Sequence, residues 1–187
     1  DRPGSLRERP KKAEKPNMQR RNTCGTLYVG TTMAAPDKDA TIRCVCGVFR
    51  AHIRQSELQD RVGHPEYLLF NDLESHRMTR RLMSRAPPPS LEEITSFYRD
   101  VFDRAQMETD CIIISLIYVE RLVKITNGAL RPRASNWRSI LFSCMVLSSK
   151  VWDDMSMWNG DFSQTCPAGV EFTLQRVNEL EIAVLSA

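Results

Sequence analysis

The stretch Cys111–Val119, CIIISLIYV, sits between Asp110 and Glu120 and is broken only by Ser115 before Tyr118. A helix at a protein surface confines its apolar residues to one stripe, whereas this run is apolar nearly all round. A membrane span needs ~20 apolar residues, and here charge closes the run after nine. The pattern therefore predicts a core helix from about Glu108 to Thr126, placed in the middle and covered on several sides. Asn127-Gly128 supplies a left-handed stop. Such a helix obliges the rest of the chain to provide its cover.

The neighbours are legible by period. Ser90-Leu91-Glu92-Glu93 fits a capping box after Pro87-Pro88-Pro89. Leu91, Ile94, Phe97, Tyr98, Val101 and Ala105 then form one stripe. A further helix is expected from about Asn136 to Trp152, with Trp137, Ile140, Leu141, Cys144, Leu147 and Val151 in register. Ser143, Ser148 and Ser149 within it are small enough to admit a close neighbour. Met155–Gln164 reads as a short helix or turn. Pro167-Ala168-Gly169 separates it from a last helix over about Val170–Leu185, lined by Phe172, Leu174, Val177, Leu180 and Val184. Upstream, Ile42, Val45, Cys46, Phe49 and Ile53 predict a helix over Thr41–Gln59, and Gly63–Pro89 reads as a loose connector. The fold class is thus all-α: five helices over 90–187, an additional N-terminal helix and connector over 41–89, and a disordered basic tail over 1–40. The only strand signal is Thr26–Gly30, TLYVG.

The formal net charge of +3 is unevenly spread, because Asp1–Arg21 alone carries eight basic and three acidic residues. The folded part is then slightly acidic, which disfavours nucleic-acid binding outside the tail. The six cysteines form no C-x-x-C pair, and Cys111 and Cys144 lie inside apolar patterns. Reduced, buried thiols of an intracellular protein follow. His52, His64 and His76 lack ligand spacing for zinc, so no metal and no cofactor are expected. Cytoplasmic localisation is expected, with plasma-membrane attachment if a lipid anchor precedes the chain, and the nucleus as a second compartment.

Catalytic patterns are absent: no glycine-rich phosphate loop and no nucleophile elbow. Asp153, Asp154 and Asp161 suggest a magnesium site only weakly, since adjacent carboxylates point in different directions. The simpler expectation is that Asp153 and Asp154 end one helix and cap the next. Lys150 remains. It follows a buried run, so its stem would lie on apolar surface with the ammonium at the rim. Glu181 of the last helix is a carboxylate that could orient it.

The residues Leu147-Ser148-Ser149-Lys150 resemble the LASK end of the third helix in a cyclin box. Lys150-Val151-Trp152-Asp153-Asp154 followed by Trp158-Asn159-Gly160-Asp161-Phe162 is similar to the cyclin Y branch, with its SKVWDD and WN-D blocks. Val119-Glu120-Arg121-Leu122, Asn136-Trp137, Asn178-Glu179-Leu180-Glu181 and Thr41-Ile42-Arg43-Cys44 resemble that branch too. The likeness extends over about Thr23–Leu185, and SKVWDD and NELE are its specific blocks.

The resemblance implies an activating subunit of a cyclin-dependent kinase of the PFTAIRE type, and not an enzyme. It implies that Lys150 and Glu181 contact the kinase near its mobile helix, with Trp152 and Asp153 beside them. It also implies 14-3-3 proteins as partners through phosphorylated flanking segments, with Thr23, after Arg20-Arg21, the candidate phosphosite. Family members continue with further helices, so a box ending at Ala187 is expected to expose apolar surface. The alternative is a cyclin-fold, transcription-associated nucleic-acid-binding protein, supported by the basic tail alone.

Overall fold

Apolar side chains at Trp137, Ile140, Leu141, Phe142, Cys144, Met145 and Val146 bury one helix on several sides, and three other described helices pack against it. The computed structural model of the chain describes residues 37–59, 65–72 and 87–187. In order they form α1 (Lys38–Glu57), a 3₁₀ segment (Pro65–Phe70), α2 (Leu91–Arg104), α3 (Cys111–Ile125), α4 (Trp137–Trp152), α5 (Asn159–Phe162) and α6 (Leu174–Ser186). Among the described residues there is no strand, and the all-α reading holds. The TLYVG stretch, Thr23, Cys24 and the basic run to Arg21 lie outside the described residues.

Local chemistry sets most of the boundaries. Asp37 accepts the Ala40 amide at 3.0 Å, so α1 starts at Lys38, three residues ahead of the expected Thr41. Ser90 and Glu93 close the expected capping box, with bonds of 3.1 and 2.7 Å. Such a box stabilises a helix by about 1 kcal/mol. Asn127 and Gly128 both take positive φ, 50° and 78°, and end α3. Gly128 is favoured there by its φ; a Cβ would meet only the flexible Arg131 guanidinium, which donates to the Gly128 carbonyl and could shift aside.

Two expectations are corrected. The first is that α3 occupies the middle. Its Ile112, Val119 and Leu122 face inward, and Ser115 receives Tyr98 in a buried bond of 2.9 Å. Yet Ile113 is 54% exposed, and Ile117 and Ile125 are also in solvent. The central helix is α4, which packs against α2, α3 and α6. Its serines explain why. Ser143 and Ser148 are buried, and each returns its hydroxyl to a backbone carbonyl of its own helix. The polar groups are satisfied locally, and the small side chains let neighbours approach.

The second concerns only part of the loose connector, of which residues 65–72 and 87–89 are described: Pro65–Phe70 forms a 3₁₀ turn whose Phe70 is fully buried. Asp72 then reaches the start of α4. Its carboxylate accepts the Arg138 amide at 3.0 Å, the Ser139 amide at 2.8 Å and the Ser139 hydroxyl at 2.6 Å. Asn136 precedes α4 but makes no capping bond; its side chain holds the preceding loop, accepting from Arg133 N and donating to Arg131 O. A residue far along the chain thus does the capping. Arg176 of α6 donates to the carbonyls of Leu69 and Asn71, tying the same segment down from the other side.

Candidate functional site

The end of α4 and the middle of α6 meet where the chain offers a charged pair. Phe142 of α4 lies flat on Phe172, with ring centroids 4.5 Å apart, and edge-on to Phe162 of α5 at 6.5 Å. Val177 and Leu180 bury the inner face of α6. These contacts fix the rotation of α6, and Glu181 falls beside Lys150. Lys150 Nζ donates to Glu181 Oε1 at 2.6 Å, with side chains 26% and 19% exposed.

Glu181 has a second partner. Asn159, at the start of α5, donates from Nδ2 to Glu181 Oε2 at 2.6 Å and to Asn178 Oδ1 at 2.7 Å. Burial by itself would raise the Glu181 carboxyl, but the hydrogen bonds from Lys150 and Asn159 and the ammonium charge outweigh it. The net result holds it below its ordinary value. The carboxylate therefore stays charged at neutral pH, and the pair is a fixed, half-buried dipole. Among the described residues Lys150 spends one of three donors on this pair. The others remain at the rim.

An open groove of about 870 Å³ adjoins Lys150, lined among others by Met155, Met157, Trp158, Asn159 and Leu174. Trp158 is 83% and Met155 93% exposed, and Val151 and Trp152 also face solvent. Large apolar side chains gathered around a charged centre mark an interaction surface rather than a core. An open groove of this kind suits a macromolecular partner better than a small substrate, which needs an enclosing pocket.

The four side chains singled out in the sequence take different positions. Lys150 and Glu181 come together. Trp152 stands exposed at the rim. Asp153 turns inward: one oxygen accepts the Glu108 amide and the Cys111 thiol, each at 3.2 Å, and the other the Ser149 hydroxyl. Asp153 ends α4, as expected, but its carboxylate closes on the start of α3. The next helix, α5, has Trp158 at its N-cap and no side-chain cap. Burial, followed by the Asp153 carboxylate, pushes the Cys111 thiol up to about 12, so it stays protonated. Cys46, Cys144 and Cys166 are likewise free and buried, while Cys44 is exposed.

Asn159 was legible as part of the WN-D block, but nothing in the one-dimensional pattern connects it to Glu181. Among the described residues no three His, Cys, Asp or Glu side chains gather as a metal site. No described helix is long and apolar enough to cross a membrane. The family model described as "Cyclin, N-terminal domain" matches residues 67–187, well over half of the chain.

Proposed function

Because this chain belongs to the cyclin family, whose fold is regulatory and non-catalytic, we propose that it is an activating subunit of a cyclin-dependent kinase of the PFTAIRE type, docked through Lys150 and Glu181. The cyclin domain carries kinase binding in general; the kinase type and the docking residues are the proposal. The observation that supports it is the Lys150–Glu181 pair at 2.6 Å, set in exposed apolar surface.

The physics of docking follows from that arrangement. Val151, Trp152, Met155 and Trp158 offer apolar area whose burial provides the driving force. The Lys150–Glu181 pair supplies direction. Its free ammonium donors reach for backbone carbonyls of the kinase, and a half-buried charge already paired loses less hydration than a bare one. Activation is then a population shift. The mobile helix of the kinase carries a glutamate that must meet the kinase's own lysine before the ATP phosphates are positioned. A surface that binds only the inward position of that helix favours the active state by its differential affinity. Thr23, after Arg20-Arg21, is the proposed phosphosite for a 14-3-3 partner, since phosphorylation adds about −1.5 to −2 charge. The cytoplasm is the proposed compartment.

The test is co-purification with a PFTAIRE-type kinase. Lys150→Ala and Glu181→Ala should each keep helical content by circular dichroism and lose the kinase. Wild-type amounts of kinase with both variants would remove the pair from the interface.

A further inference from the structure

We infer that Asn159 is a positioning residue for the docking pair: it clamps the second oxygen of Glu181, and so sets the direction in which Lys150 faces a partner. The inference rests on the kinase-docking reading above and extends it to a third side chain.

The geometry of Asn159 is unusually committed. Its Nδ2 serves two acceptors at once, Glu181 Oε2 at 2.6 Å and Asn178 Oδ1 at 2.7 Å. Turning the amide over would set three acceptor oxygens against one another, so the network itself assigns the donor. The other end of the amide, Oδ1, is sealed from solvent and has no hydrogen-bond partner among the described residues. Leaving a buried acceptor unpaired is costly. Nothing in the folding of a four-residue helix requires an asparagine at its first position. Phe162, one turn on, already anchors α5 in the core beside Phe142. The asparagine is accounted for by what its donor end holds.

What it holds is the rotation of a carboxylate. With Lys150 alone, Glu181 could swing about its terminal bond and present either oxygen, and the ammonium would follow. A second bond to Oε2 from a different element removes that freedom. Lys150 from α4 is the charged group facing Glu181; Asn159 from α5 and Asn178 on α6 itself are neutral. The pair is thereby triangulated from three helices, and the ammonium is held in place before any partner arrives. Preorganisation of that kind raises affinity by lowering the ordering cost at the interface.

Two measurements on the full chain test this. The first follows the Glu181 carboxyl by NMR titration. In Asn159→Ala its midpoint should move upward, because one hydrogen bond to the charged form is lost. The second is a double-mutant cycle on kinase affinity. Asn159→Ala should weaken binding roughly ten-fold in the native background, and not further in Glu181→Ala, whose residual affinity, too weak for co-purification, is read by titration at high kinase concentration. An unmoved Glu181 midpoint overturns the inference, and so does an equal loss in both backgrounds. Should the alanine variant lose helical content, the isosteric Asn159→Asp carries the same test. It removes the donor and adds a charge, so the Glu181 midpoint should rise further. If Glu181→Ala binds kinase normally, the docking reading falls, while the NMR titration still decides whether Asn159 positions Glu181.

Discussion

Helices α3 and α4 are neighbours of similar length, and the chain treats them oppositely. By composition α3 is the more apolar, with isoleucine at 112, 113, 114, 117 and 125. By position α4 is the more buried, with eleven of its sixteen residues enclosed and four of those serine. Hydrophobicity therefore did not choose the centre; size did. A serine whose hydroxyl returns to its own backbone presents little more bulk than alanine. It lets a second helix come close, and close packing from several directions is what a central helix needs. The isoleucines of α3 fill their inner face and leave the remainder in solvent.

Four substitutions press on that contrast, the largest effect first. Phe142→Ala removes the ring that joins α4 to Phe162 and Phe172. It should destabilise by ~3–5 kcal/mol in urea denaturation. A cost under half of that would mean α4 is not the organising helix. Ser148→Leu keeps α4 apolar but thickens it at a buried position. Overpacking should cost ~1–3 kcal/mol, and a neutral result would show that small size is not the reason for its burial.

The third concerns Asp72, whose carboxylate caps α4 from outside. Burial is the main cause that pushes its carboxyl up to about 6, against the opposing bonds from Ser139 and Arg138. A carboxyl raised in the folded state favours folding while protonated, and this contribution fades as pH climbs from 3.8 to about 6. Asp72→Asn has no proton to lose. Relative to the wild type it should gain stability across that window, as read by thermal melts in a pH series. A difference that does not vary with pH breaks the assignment. Glu181 has the opposite sign, since its lowered carboxyl stabilises the fold above the ordinary value of 4.5 and ceases to as pH falls through the folded value. The smallest effect is expected on α3. Ile113→Ser alters an exposed position and should change stability by no more than about 0.5 kcal/mol. A large loss there would show that α3 is central after all.

Legibility followed the range of the interactions. The Ser90–Glu93 capping box, the Asn127-Gly128 stop and the stripes of α1 and α2 depend on residues within one or two turns, and each could be read in one dimension. The SKVWDD and NELE blocks pointed to Lys150 and Glu181 by resemblance. Their bond, across 31 positions, depends on how buried Val177 and Leu180 set α6 against α4. Asp72, Asn159 and the inward turn of Asp153 gave no local sign, because each acts on a partner at least 19 residues away.

The amino-acid sequence by itself determined an all-helical chain, the places where its helices stop and start, and the residues able to carry charge at the end of α4. Those are consequences of backbone sterics and of a period of 3.6 residues, which act over a few bonds. Only the tertiary structure decided which helix lies at the centre, which carboxylate caps it, and that Glu181 is held at both oxygens. Those depend on which surfaces meet, and close packing admits few arrangements in which the small faces, the rings and the paired charges all coincide.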